Sequence, residues 1–173
     1  MVAGKLSGIH FHWTYPAFVA TTADLIAEGF ASSTVVPTTL NIDHPDPTGR
    51  GPFCRLIVTT TAPASPGAYA WVTNDDLRYI GKARDLLQIV HGTRMGRPYN
   101  DYTYVPPSKV RQIGNPRVRI NGLLNAAICE GQVITWWWWA TETEVAALQF
   151  EAELIDRWRP PWNRALPTFW RRT

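Results

Sequence analysis

A chain of 173 residues with 45% apolar content has the length of one domain and enough apolar material to bury a core, which excludes a fibrous or wholly unstructured protein. Charged residues make up only 18%, Trp, Tyr and Phe number 9, 6 and 6, and the formal charge of +3 suits a polyanionic partner without requiring one. Cys54 and Cys129 lack the paired spacing of disulfide or zinc frameworks, no window resembles a membrane span, and the opening MVAGKLSGIHFHWTYPAF has no signal-peptide core, so a soluble, cytoplasmic protein is expected.

Residues 1–66 read as an N-terminal extension to a main domain over 67–173. Its one expected helix runs from Thr22 to Phe30, capped by Thr21 or Thr22 with Asp24 in the first turn. His10-x-His12 alternates as on a strand, but two ligands do not make a metal site. A Pro/Gly/Asp loop follows over 41–52, then a strand over Phe53–Thr60, and APASP at 62–66 marks the boundary. DNA recognition or homodimer formation is the expected use of this extension.

From Gly67 the runs GAYAWVT and LRYIG, joined by Asn74-Asp75-Asp76, predict a hairpin. A three-residue loop would put Tyr69, Trp71 and Tyr79 on one face; a two-residue loop would put the tyrosines on opposite faces. Helical spacing follows over Asp85–His91, a loop-like stretch over 92–107, and a second helix over Val118–Cys129. Gln132–Trp139 reads as a strand whose tryptophans 136–139 place two rings on each face, one pair under the helices and one under the N-terminal region or a partner subunit. A capping box at Thr141-x-x-Glu144 opens the last helix, which Pro160-Pro161 stops after Trp158. The order from residue 67 is β-β-α-α-β-α, an α+β domain with a small sheet flanked by helices.

Basic residues concentrate between Arg78 and Arg119. Arg97, Lys109 and Arg111 fall in loop-like sequence, and Arg117, Arg119 and Asn121 fall where a helix begins, so contacts to a nucleic-acid backbone are expected from all six.

Glu151 stands apart. On a wheel of about 100° per residue its neighbours are Ala147, Leu148, Leu154, Ile155 and Trp158, whereas Glu153 lies with Gln149 on the polar side. A carboxylate on the core-facing stripe costs several kcal/mol unless a cation or hydrogen bonds compensate, so either a metal ion or an arginine partner is expected there.

Gly67-Ala68-Tyr69 followed at hairpin spacing by Tyr79-Ile80-Gly81-Lys82-Ala83, with Glu151-x-x-Leu154-Ile155 leading into Pro160-x-Trp162-Asn163, resembles the GIY-YIG nucleases over residues 67–163. The resemblance implies that Tyr69, Tyr79 and Glu151 converge on one divalent ion, Mg²⁺ or Mn²⁺, with Glu151 as its protein ligand. It further implies that one tyrosine, Tyr69 in the first instance, deprotonates the attacking water with help from Lys82 or an arginine. Gly67 and Gly81 would be structural members of the motif, and Asn163 would hold the loop that positions the last helix. The family's arginine on the helix after YIG has no counterpart within Leu86–His91; Arg94 is the first substitute, Arg84 the second and Arg97 the third. His91 is a candidate for the scissile phosphate or for proton transfer. The implied activity is metal-dependent endonuclease cleavage of double-stranded DNA, of restriction type. A structure-specific or repair nuclease and a non-cleaving DNA-binding module of the same fold are the alternatives.

Overall fold

In a computed structural model of the chain, residues 19–39, 53–59, 62–91 and 116–163 are described. The β-branched and aromatic runs form strands β1 (Ala31–Thr39), β2 (Arg55–Val58), β3 (Gly67–Thr73), β4 (Asp76–Ala83) and β5 (Ile134–Ala140). Helices are α1 (Thr22–Ala27), α2 (Leu86–His91), α3 (Pro116–Cys129) and α4 (Glu144–Trp158). Among the described residues these strands join one five-stranded antiparallel sheet in the order β2-β1-β5-β3-β4. The protein is thus α+β, and from residue 67 its elements follow the expected β-β-α-α-β-α order.

Residue 66 marks no break in this sheet, because β1 and β2 precede it and β1 pairs with β5 along Ala31↔Trp138 to Thr34↔Thr135. β1 was not expected. It is a β-branched run interrupted by Pro37, which lacks a donor for the ladder, and the pairing with β2 shifts register between Pro37 and Thr39. The first helix stops three residues short of Phe30. Gly29, at φ +89°, turns the chain, its N–H donates to the Ile26 carbonyl, and the Phe30 N–H donates to the Leu25 carbonyl.

The β3–β4 hairpin corrects the loop expectation. Thr73 pairs with Asp76 and Val72 with Leu77, leaving a two-residue turn at Asn74-Asp75, with Asn74 at φ +56°. The register then shifts so that Trp71 faces Tyr79 and Tyr69 faces Gly81. Arg78 is therefore the extra residue of a β-bulge, and the bulge returns both tyrosines to one face. Its side chain ties the irregularity down, with Nε donating to Thr73 Oγ1 at 2.6 Å and Nη2 to Asp76 Oδ2 at 3.1 Å.

Period-2 alternation sorts the core into two layers. On one face Tyr69, Trp71 and Trp136 pack with Leu56 and Val58 of β2, Leu86 of α2 and Ile120, Leu124 and Ala127 of α3. On the other, Ala68, Ala70, Val72, Ile80 and Trp137 meet Leu25 of α1 and Leu154 and Trp158 of α4. Trp138 joins the first layer and Trp139 the second, its ring 4.2 Å from that of Phe150. The first pair shares its cluster with β2 and α3 and the second with α1 and α4, so residues of the N-terminal region, as well as helices, pack in both. α4 begins two residues after the expected cap: Thr143 Oγ1 accepts from the Ala146 N–H at 3.1 Å, while the Thr141 hydroxyl donates to the Thr143 carbonyl.

Candidate active site

Tyr69 and Tyr79 meet on the face covered by α3, their ring centroids 6.1 Å apart, with Trp136 a further neighbour of Tyr69 at 6.3 Å. Gly81 makes this arrangement possible. A Cβ placed on it would lie 2.4 Å from Tyr69 Oη, 2.5 Å from Tyr69 Cζ and 2.9 Å from Tyr79 Cε1, so the Tyr69 hydroxyl rests directly on the glycine backbone. Gly67 is excluded from growing by harder neighbours, since its Cβ would lie 2.3 Å from the Trp139 carbonyl oxygen and 2.6 Å from Leu86 Cδ1. Tyr69 is 1% exposed, whereas Tyr79 is only partly buried.

Glu151 comes from the opposite layer. α4 packs on the far side of the sheet through Ala147, Leu154 and Trp158, and Glu151 lies half-buried on this stripe. β4 is an edge strand, and at its rim the Lys82 backbone N–H bonds the Glu151 carboxylate while the Lys82 ammonium attracts it. Burial nonetheless outweighs both and pushes the Glu151 carboxyl above its ordinary range. The tyrosine hydroxyl over Gly81 and the carboxylate at Lys82 thus occupy adjacent residues of one strand, approached from its two sides. Glu153 points away, pairing with Arg157 at 2.6 Å.

The segment after α4 completes the rim. Asn163 Oδ1 accepts from the Ile80 N–H at 2.8 Å and its Nδ2 donates to the Ile80 carbonyl at 2.7 Å, so one side-chain amide serves both groups of an edge-strand residue. The Trp162 N–H donates to the Arg78 carbonyl at 2.8 Å, and Arg159, at φ 46°, provides the turn out of the helix.

Among the expected basic residues, Arg84 leaves the sheet, its side chain 84% exposed and paired with Glu144 at 3.1 Å. Arg119 reaches the rim, where its Nη1 donates to the Trp162 carbonyl at 2.9 Å; the sequence reading placed it only at a DNA backbone. Asn121 requires the plainest correction. It is fully buried, its Oδ1 accepting from the Cys54 N–H and its Nδ2 donating to the Cys54 carbonyl, each at 3.0 Å, so it pins β2 to α3 and cannot meet a nucleic acid. His91 closes α2 and Arg117 lies in the first turn of α3, their side chains outside the description. Arg94, Arg97, Lys109, Arg111, His10 and His12 lie outside the described residues.

A divalent ion fits this chemistry in one way. Among the described residues no group of three His, Cys, Asp or Glu could hold a metal, so Glu151 would be joined by water and a substrate oxygen rather than by a protein cage. A cation beside Glu151 would also offset the burial that now disfavours its ionised form.

No helix among the described residues is long and apolar enough to cross a membrane. No family model matches the chain, and no solved structure matches it. Over 122 residues it is 30% identical to the UvrABC system protein C of Sphingopyxis alaskensis, a stretch that covers 70% of this chain and 15% of that protein.

Proposed function

We propose that this chain is a divalent-metal-dependent endonuclease of GIY-YIG type that hydrolyses phosphodiester bonds in double-stranded DNA. The observation that carries this reading is that two phenols at Gly81 and, from the opposite layer, one half-buried carboxylate at Lys82 flank adjacent residues of one edge strand. A carboxylate kept where burial disfavours its charge is costly to the fold, and such groups concentrate at functional sites. The similarity to UvrABC system protein C supports the same reading.

In this proposal Glu151 holds Mg²⁺ or Mn²⁺ with water and substrate oxygens, and the ion supplies Lewis-acid stabilisation of charge on the phosphate and leaving oxygen. The chain's own residues do the rest. The partly buried Tyr79 is better placed than Tyr69 to take a proton from an attacking water, which reverses the preference drawn from the motif, and the enclosed Tyr69 hydroxyl orients that water. Lys82 opposes the burial that disfavours ionised Glu151, and Asn163 holds the edge strand at the level where the phenol must act.

A structure-specific or repair nuclease is the second reading, and the similarity to a UvrABC system component favours it over restriction. One experiment addresses both. Incubation with supercoiled plasmid, linear duplex and branched duplex in Mg²⁺, with and without chelator, should show chelator-sensitive cleavage that Glu151→Gln abolishes. Cleavage confined to branched substrates would establish the second reading, and cleavage by Glu151→Gln at the wild-type rate would remove the proposed site.

A further inference from the structure

The bonds at the β4 rim fix the position of one arginine. Arg119 Nη1 donates to the Trp162 carbonyl at 2.9 Å; the Trp162 N–H donates in turn to the Arg78 carbonyl, and Asn163 brackets Ile80. Residues 162 and 163 therefore run along the strand on both sides of the level of Tyr79. α3, which carries Arg119, covers the tyrosine-bearing face: Ile120 is buried in the same cluster as Tyr69, and Tyr79 and Trp162 pack against that cluster. The guanidinium thus arrives at the rim from the phenol side.

The other arginines with described side chains are committed elsewhere. Arg78 is turned to Thr73 and Asp76, Arg84 is exposed against Glu144, and Arg157 binds Glu28 and Glu153. Arg55 belongs to β2, at the far edge of the sheet from β4, and Arg159 Nε turns back to the Asp156 carbonyl.

We infer that Arg119 is the cation of the proposed site, contacting the scissile phosphate beside Tyr79 and favouring the phenolate of that residue. The inference rests on the nuclease reading above. A phenol that titrates near 10 is a poor base at neutral pH, and a nearby guanidinium stabilises its deprotonated form. The same charge counters that developing on the phosphate in the transition state. The bond to the Trp162 carbonyl limits the rotamers of a long side chain, which lowers the entropy cost of holding it against a ligand.

The test compares wild type, Glu151→Gln, Arg119→Ala and Arg119→Lys on supercoiled plasmid, with single-turnover rates in Mg²⁺ across pH and binding measured in Ca²⁺. Arg119→Ala should lose about 100-fold to 1,000-fold in rate, while its plasmid binding changes by less than about tenfold. Its rise of rate with pH should move to higher pH, and Arg119→Lys and added methylguanidinium should each restore part of the rate. If Arg119→Ala does not fold, Arg119→Lys decides: an unchanged rate and pH profile overturns the inference. A wild-type rate in Arg119→Ala, or a loss of rate that leaves the pH profile in place and resists rescue, overturns it equally and reduces Arg119 to a structural tie. If wild type does not cut, or Glu151→Gln cuts equally well, the nuclease reading itself has failed.

Discussion

Gly81→Ala tests the geometry of the site with one methyl group. The new Cβ would stand 2.4 Å from Tyr69 Oη and 2.5 Å from Cζ, where carbon contacts settle at about 3.5–4.0 Å, so the ring must retreat by about 1 Å. It has little room to do so, being 1% exposed and flanked by Tyr79 and Trp136. Overpacking of this kind costs about 1–3 kcal/mol, and the lower entropy of alanine in the unfolded chain offsets about 0.4–1 kcal/mol of it. The net loss of up to about 2.6 kcal/mol corresponds to a Tm lower by up to about 10 °C at this chain length. Cleavage should fall further than stability does. Displacing a positioned group by about 1 Å can cost about 100-fold in rate, even well below the melting transition. Thermal unfolding by circular dichroism and single-turnover plasmid cleavage measure the two effects. A variant that melts within about 1 °C of wild type and cuts at its rate would show that Tyr69 does not lie across Gly81.

Burial holds the Glu151 carboxyl above its ordinary value of 4.5, with Lys82 opposing. A pKa raised by folding contributes stability below the unfolded value and loses that contribution as pH rises through the folded one, so ionised Glu151 weakens the fold at neutral pH. Glu151→Gln should therefore raise Tm at about pH 7.5 and change it little at about pH 4, and Mg²⁺ should stabilise wild type but not the variant; equal melting curves at neutral pH would contradict this. Asn121→Ala should lose about 2–5 kcal/mol in urea unfolding, because it leaves the buried N–H and carbonyl of Cys54 without partners. A loss below about 0.5 kcal/mol would refute that pairing. Burial pushes the Cys54 thiol up to about 12, so a thiol reagent at about pH 8 should modify Cys54 only after denaturation, as peptide mapping would reveal.

What the sequence disclosed follows the range over which each signal acts. Glu151 on the core-facing stripe was legible because helical periodicity is local: Ala147, Leu154 and Trp158 are buried as the wheel places them, although Leu148, set on the same stripe, is 48% exposed. Its bond to Lys82 was not legible, since nothing in either segment says that the rim of β4 passes the middle of α4. The shared face of Tyr69 and Tyr79 was anticipated on a three-residue loop and is reached instead through two turn residues and a bulge. β1 stayed hidden behind Pro37, and the cap of α4 fell at Thr143 because Thr141 and Thr143 offer the same hydroxyl two residues apart. Asn121 misled for a different reason. A polar residue beside arginines at a helix start reads as surface, and only the arrival of Cys54 from far along the chain makes it a buried clamp.

The surplus residue at position 78 separates chain length from orientation in the hairpin. Deleting Arg78 outright would let Tyr79 follow Leu77 into a regular ladder and still face Trp71, leaving the two phenols side by side on a straighter, less twisted ribbon. Keeping Arg78 while ironing out the irregularity would instead set it opposite Trp71 and send Tyr79 through to the α4 side, with every later side chain of the strand exchanged between the two layers. A shorter hairpin is therefore the gentler change, and a substitution such as Arg78→Val that favours regular pairing is the harsher one, although it alters no atom of either tyrosine.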